Sequence, residues 1–441
     1  MSTTYYPELA RRVRSQRELQ PGLYGDFDFG KQPYRLATEP DDSSSLPKWV
    51  APREPILADE RVTELITTAT LLGDTVADPL AALSAERSVT ELVTMVRRAC
   101  REGIDAVPEA PPELVSLIAA MEATPEWLDM DLVRAGAAQS RIAAALLAPF
   151  VIRGAFIATF TNTYAALPMA LTGALSGRRA ARRVNETANF FAVTTLPGAL
   201  DRYGPGFEAA AMVRLMHSMV RYNALTRSDR WDPDVYGIPV PQVDQMPAGM
   251  INLYLLSLRV QRQGRTEFTD DEQAEVEFDR YRCFLLGLPE ELLPTTPEGI
   301  IHAFHARAAL LRDGFDDATC GELIRSTMAA YLRPNRTRFD RIADAVERSY
   351  SKAGFIAAFC HGNRHTARAM GVPIGAADMA RIALTAPFII GRLLIVTGAY
   401  RISWLRPAVD PYLTKLVERR LAEYGNPEFV SDARTYTPVA G

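Results

Sequence analysis

From about residue 58 onward the apolar residues of this chain recur three and four positions apart, and no run of alternating apolar and polar residues is long enough for a sheet. That period confines the chain to packed helices, so the expected fold class is all-α. Of 441 residues, 48% are apolar and 23% charged, enough to bury a sizeable core and unlike a disordered or fibrous chain. Residues 1–57 differ: they are rich in Pro, Asp, Ser and Tyr with little helical period, and predict an extended arm wrapping a body. The expected organisation is an arm over 1–57, a helical core over 58–310 and C-terminal helices over 311–441 packed on that core.

Local chemistry marks several boundaries. Thr124-Pro125-Glu126 precedes a long helical pattern opening near Asp131. Thr269 with Glu272 makes a capping box for a helix running to about Leu286, closed by Gly287 and Pro289, and Thr296-Pro297-Glu298 starts the next. Ala148-Pro149-Phe150-Val151-Ile152 is echoed by Ala386-Pro387-Phe388-Ile389-Ile390, which predicts two similar core helices. Residues 154–177 carry no charge over 24 positions, long enough to cross a bilayer. Thr159, Thr161, Asn162, Thr163, Pro168 and Thr172 within that run favour a buried central helix over a span, leaving room for peripheral membrane contact.

A formal net charge of −4 gives no electrostatic footprint for nucleic acid. Basic charge is nearly all arginine: the lysines are Lys31, Lys48, Lys352 and Lys415, so residues 49–351 have none. The cysteines (Cys100, Cys283, Cys320, Cys360) are scattered without a CxxC pair and read as reduced thiols. The arginines near the N-terminus are followed by no apolar stretch, so no export signal is read and a cytoplasmic location is expected.

Five histidines are available to a metal. His302 and His305 are three apart and His361 and His365 four apart, so each pair shares a helix face and the four together could clasp zinc or simply be polar residues on partly exposed helices. No Asp or Glu stands three before any histidine, which removes the E-x-x-H motif of di-iron bundles. His217 sits in an apolar helical stretch beside Met216, Met219 and Val220, with Arg214 three before it and Arg221 four after. A buried imidazole there is either a satisfied core group or an iron ligand, with two arginines spaced to pair haem propionates. A second cluster, Arg183, Glu186 and Thr187, shares one helix face. Glu186 is the first carboxylate after residues 132–185, which have none, and is either a surface ion-pair partner or an acid beside an apolar region.

The order of these clusters resembles the latex clearing protein family, bacterial rubber oxygenases whose catalytic domain is shared with fungal membrane-bound oxygenases that cleave prenyl chains. The resemblance rests on Arg183-Val-Asn-Glu186-Thr187, on Arg214, His217 and Arg221, on Gly73-Asp74 with Ala77-Asp78, on Pro125-Glu-Trp127-Leu-Asp129 before Gly136, on Gly237-Ile-Pro-Val-Pro-Gln242-Val-Asp244, and on Leu286-Gly-Leu-Pro289 leading to Leu293-Pro294. It spans about residues 60–300 and implies a globin-like helical core holding haem b, with His217 below the iron and Arg183, Glu186 and Thr187 above it. It also implies an oxygenase reaction, with dioxygen or a peroxide-level oxidant and an apolar, alkene-bearing or isoprenoid-like substrate. The uncharged stretch 154–177 and Phe190-Phe191 are candidate pocket walls. Glu186 replaces the family's distal lysine, and the family's carboxylate in the preceding helix has no counterpart in residues 132–185, so Glu186 is the expected proton-handling group. If Arg183 locks Glu186 as an ion pair, Glu186 is structural instead. The rival readings are a haem sensor or electron carrier, a zinc hydrolase on His302, His305, His361 and His365, and a cofactor-free helical interaction protein.

Overall fold

Helix starts are set by side chains that occupy the unpaired N–H groups of the first turn. Asp59, Ser88, Asn162, Thr269, Thr296 and Thr337 each accept such a bond, and the Thr269–Glu272 capping box forms as its spacing predicts. Proline in the first turn opens others, among them those beginning at Pro7, Pro112 and Pro205. The computed structural model describes residues 5–50, 52–173 and 179–425. Among these there are helices and two isolated β-bridges, Leu36 with Leu311 and Ser44 with Arg312, and no β-strand. The fold is all-α.

The chain forms two compact units, each discontinuous in sequence: Met1–Val133 with Arg202–Gly314, and Arg134–Asp201 with Phe315–Glu428. This division differs from the expected arm, core and C-terminal helices, because the chain leaves the first unit after Val133 and re-enters it at Arg202. It begins with α1 (Pro7–Leu19), α2 (Pro21–Tyr24), α3 (Arg53–Leu57), α4 (Glu60–Ala69), α5 (Ala77–Ala82), α6 (Val89–Glu102) and α7 (Pro112–Glu122). Then come α8 (Met130–Leu146), α9 (Ala148–Ala158), α10 (Thr163–Leu171) and α11 (Arg179–Val193). The first unit resumes with α12 (Pro205–Arg227), α13 (Pro233–Tyr236), α14 (Gln242–Arg262), α15 (Asp270–Leu285) and α16 (Pro297–Leu310). The second ends with α17 (Glu322–Ala329), α18 (Arg338–Phe359), α19 (Arg364–Ala369), α20 (Ala376–Arg401) and α21 (Arg406–Tyr424).

In the first unit a core of Leu9, Val13, Ile66, Leu72, Val243 and Leu310 joins α1, α4, α14 and α16. The N-terminal segment is therefore not wholly an extended arm. Leu9, Val13 and Gln16 lie on one buried face of α1, spaced four and three apart, a pattern too sparse in apolar residues to stand out in sequence. Residues 25–50 do run without helix, and their backbone pairs with the end of α16 through Ala37 N–H to Leu310 O and Ser45 N–H to Leu311 O, both 2.8 Å. Arg53 fastens that stretch by donating to the carbonyls of Ala37, Glu39, Pro40 and Asp42.

In the second unit Ile157, Phe160, Val184, Ile324 and Phe355 join α9, α11, α17 and α18. Two expectations need correction here. The uncharged stretch is not one central helix: α9 ends at Ala158 and α10 begins at Thr163, because the hydroxyls of Thr159 and Thr161 bond back to Phe156 O and Ala158 O while Asn162 caps the next helix. Residues 174–178 of that stretch lie outside the described residues. The echoed pentapeptides are not two core helices either. Pro149 opens α9, whereas Pro387 lies inside α20 next to Phe388, which is 78% exposed.

Candidate functional site

His217 sits in the second half of α12 in the first unit, half-buried, and its ring is held by a relay that ends on a backbone carbonyl. Gly73 O can only accept, so the group facing it at 3.1 Å is Gln242 Nε2, which leaves Gln242 Oε1 to accept from Gln245 Nε2 at 2.9 Å. Gln245 Oε1 then faces His217 Nδ1 at 2.8 Å, and the imidazole must donate. Nδ1 therefore carries a proton, and in the neutral ring the lone pair is on Nε2. A histidine whose Nδ1–H is anchored to an amide oxygen has the second-shell arrangement of a metal ligand. Pro241 caps α14, so Gln242 and Gln245 fall one turn apart at its start, and Gln242 N–H bonds Leu72 O at 2.9 Å to fix the register.

The loop that delivers these glutamines is strained. Gly237 has φ +69°, and Val240 has φ +49°, a conformation that a β-branched residue rarely adopts. Arg221 holds it, donating from Nε to Pro239 O at 3.0 Å and from Nη2 to Val240 O at 2.6 Å. Its Nη1 pairs with Asp78 and reaches Ser218 Oγ at 3.3 Å. Asp78 also accepts from Tyr24 Oη at 2.7 Å, and burial raises the Tyr24 pKa well above the usual phenol range, so Tyr24 acts there as a neutral donor. Arg214 forms a two-point pair with Asp74, at 2.5 and 3.0 Å. Burial would raise the Asp74 carboxyl, but Arg214 beside it holds it below its ordinary range.

These bonds correct the expectation for the two arginines. Arg214 and Arg221 do not point as an unassigned pair toward a ligand edge; each is committed to a buried aspartate, and Arg221 has partners on all three guanidinium nitrogens. Both guanidinium charges are met by carboxylates of the protein itself. Two glycines make the pairing possible. A Cβ on Gly73 would lie 2.5 Å from Tyr24 Oη and 2.8 Å from Asp78 Oδ2, and one on Gly287 would lie 2.8 Å from Arg214 Nε. Gly287 also has φ +88°. Another quoted motif is structural as well: Arg280 lies 3.8 Å above the Trp127 ring, whose edge meets Phe284. Gln242, Asp74 and Asp78 were visible as motif letters and Gln245 was not singled out; their convergence on the surroundings of His217 depends on contacts that no spacing reveals.

In the second unit Ala180, Val184 and Ala188 bury one face of α11, and Arg183, Glu186 and Thr187 lie off that face. Glu186 is paired on both oxygens, Oε1 with Arg182 Nε at 3.1 Å and Oε2 with Arg183 Nη1 at 3.5 Å. Thr187 Oγ1 donates to Arg183 O at 3.2 Å. This is the arrangement in which Glu186 is an ion-pair partner bracing the helix, and Arg182, not singled out in the sequence, is its nearer partner. Phe190 is buried and meets Phe191 edge-on at 5.3 Å.

The other histidines do not assemble. His302 Nε2 meets Asp59 Oδ2 at 3.1 Å, and His305 Nε2 meets Tyr254 Oη at 3.1 Å, both in the first unit. His361 and His365 belong to the second. Among the described residues no group of three or more His, Cys, Asp or Glu is placed to hold a metal ion, so the four-histidine zinc reading has no ligand set. The four cysteines are buried free thiols.

A family model described as "ER-bound oxygenase mpaB/B'/Rubber oxygenase, catalytic domain" matches residues 146–390. The match reaches 90 residues beyond the point near residue 300 where the quoted motifs end, and it includes both His217 and the α11 cluster. A solved structure titled "Structure of Latex Clearing Protein LCP in the closed state" is similar with a TM-score of 0.54 and 17% identity, over 80% of this chain and 91% of that one. At that identity the likeness concerns the fold. No curated protein matches.

Proposed function

Because the chain belongs to the family of ER-bound and rubber oxygenase catalytic domains, and is thus an oxygenase-family oxidoreductase, we propose that it is a haem b-dependent oxygenase with His217 as the iron ligand. The observation that carries this reading is the relay Gly73, Gln242, Gln245, His217, which turns the lone pair of the imidazole to Nε2 and holds the ring from behind. The residues present fit the group in donor chemistry: a half-buried imidazole on an apolar helix, anchored through Nδ1, with Met219 and Val220 buried beside it. When bound, haem supplies a redox-active iron for work on dioxygen or a peroxide.

The remaining roles belong to the chain's own side chains. Gln245 orients His217, Gln242 orients Gln245, and Arg221 holds the strained loop that presents both. Arg214 and Arg221 act through Asp74 and Asp78. For Glu186 we infer a positioning role, keeping Arg182 and Arg183 in place, rather than proton transfer. The substrate class we propose is an apolar alkene or isoprenoid-like molecule. Both atoms of dioxygen would be added across its carbon–carbon double bond, which breaks to leave two carbonyl groups.

The test is an absorption spectrum of protein purified from hemin-fed cells beside His217→Ala. An intense Soret band in the parent, lost in the variant, is expected; a colourless parent, or equal spectra, overturns the proposal. Incubating the coloured protein with an isoprenoid alkene and dioxygen, then searching for carbonyl products by mass spectrometry, separates an oxygenase from a haem sensor or electron carrier.

A further inference from the structure

Among the described residues α20 is the single helix long and apolar enough to cross a bilayer, and none of its most apolar 18-residue window is buried. Leu384, Phe388, Leu394, Ile395 and Trp404 are 75, 78, 65, 73 and 76% exposed. Positions 384, 388 and 395 recur four and seven apart, so Leu384, Phe388 and Ile395 form one stripe, about 17 Å long at 1.5 Å per residue, with Leu394 beside it. A soluble surface seldom leaves so long an apolar stripe in water.

The opposite side of the helix is covered. Tyr350 on α18 donates to Ile382 O at 3.2 Å and receives a bond from Thr385, while Leu393, Val396 and Tyr400 pack with Leu413 and Val417 of α21. At the start of α20, Asp378 pairs with Lys352 of α18 at 3.0 Å and with Arg381 at 3.3 Å. A spanning α20 would drag this charged neighbourhood into hydrocarbon, so the helix suits the plane of an interface.

Charge decides what covers the stripe. Residues 378–420 hold Arg381, Arg392, Arg401, Arg406, Lys415, Arg419 and Arg420 against Asp378, Asp410 and Glu418, and Asp378 is already paired with Lys352 and Arg381 and Asp410 with Arg141. Arg392, Arg401 and Lys415 are exposed, and Arg392 leans on Tyr412 Oη at 3.2 Å. A second copy meeting this face would set basic rim against basic rim. Anionic headgroups would neutralise it, with Trp404 and Tyr412 at the level that aromatic side chains favour at a bilayer surface.

We propose that the outward face of α20 is a docking surface for an anionic lipid bilayer, with Leu384, Phe388, Leu394 and Ile395 inserted among the acyl chains. The proposal stands apart from the haem reading, since no residue in it belongs to the His217 relay. The experiment is co-flotation of the full chain with vesicles of phosphatidylcholine alone and of phosphatidylcholine mixed with phosphatidylserine. Binding at least about tenfold stronger to the mixed vesicles, weakened by added salt, is expected. Leu384→Ser/Phe388→Ser/Ile395→Ser should abolish it while leaving the circular dichroism melt unchanged. Lipids brominated in the acyl chain should quench a fluorescence component that Trp404→Phe removes, and this reading decides the matter should the triple variant not fold. No binding to either vesicle, binding that survives the triple substitution, or an unquenched Trp404 overturns the proposal. A solution dimer that the triple substitution breaks, without vesicle binding, overturns it in favour of a second copy.

Discussion

Gln245 is where the chemistry of His217 is set, and it is the residue whose loss should be felt without loss of the fold. Replacing it by leucine removes the acceptor for Nδ1–H, frees the ring to turn and take the other tautomer, and leaves Gln242 Oε1 without its donor. Gln245→Leu should weaken haem binding about 10- to 100-fold in a hemin titration, with the chain still folded and its stability lowered by about 1–3 kcal/mol for the polar groups left unpaired. An unchanged affinity would mean that the relay does not serve the cofactor. Gly287→Ala tests the other side of the same neighbourhood. The new methyl group meets Arg214 Nε at 2.8 Å and Asp74 Oδ2 at 2.9 Å, on a backbone with φ +88°. A loss of at least about 2 kcal/mol in urea unfolding is expected, since both the backbone strain and the displaced pair oppose folding. Both glycines could be read in the sequence as motif letters. Their reason could not, because close approach of buried side chains from α2, α5 and α12 is a fact of three dimensions. Likewise, the spacing of Arg214 and Arg221 around His217 was legible, while Asp74 and Asp78, more than 100 positions away, were legible only as unconnected letters.

At the scale of the element, α15 shows what the helix signals conveyed and what they left out. Its start at the capping box and its stop before Gly287 follow from residues adjacent in sequence, so both ends could be placed in advance. The titration of its acids could not. Glu275, largely buried beside Asp279, is pushed up to about 7 by burial first and then by that neighbouring charge. An unfolded glutamate titrates near 4.3, so the native state binds the extra proton between roughly pH 4.3 and 7, and stability falls as pH rises through that window. Glu275→Gln should therefore stabilise the fold at pH 8 by on the order of 1 kcal/mol, seen as a higher melting temperature, and have little effect at pH 4. Differential scanning fluorimetry across that range checks the sign, and a larger gain at the acid end would contradict it. The stretch 154–177 failed as one helix for a related reason. Its composition is uniformly uncharged, but Thr159, Thr161 and Asn162 offer the backbone local side-chain bonds that compete with helix continuation.

For the whole molecule, periodicity was enough to identify an all-α chain but not to divide it, because which helices share a core depends on contacts far apart in sequence. Arg153 marks the difference. In sequence it is the last charge before the uncharged stretch; in the structure it is buried on α9, paired with Asp344 of α18 and donating to Ala330 O at 3.0 Å. Burial presses its guanidinium pKa down and Asp344 opposes that shift, so the pair offsets the cost of keeping the charged guanidinium out of water. Arg153→Met removes the cation and leaves Asp344 with only Arg348 as an ionic partner, at 2.6 Å, a change that costs about 3–5 kcal/mol when a buried charge loses its partner. If the chain packs as two units with separate cores, that cost belongs first to the unit containing α9, α17 and α18. Hydrogen exchange followed by mass spectrometry should then show faster exchange in 148–158, 322–329 and 338–359, while α12, α14 and α16 around the His217 relay keep their protection. Equal acceleration in both sets would mean that the two cores open together and that the division by packing has no counterpart in stability.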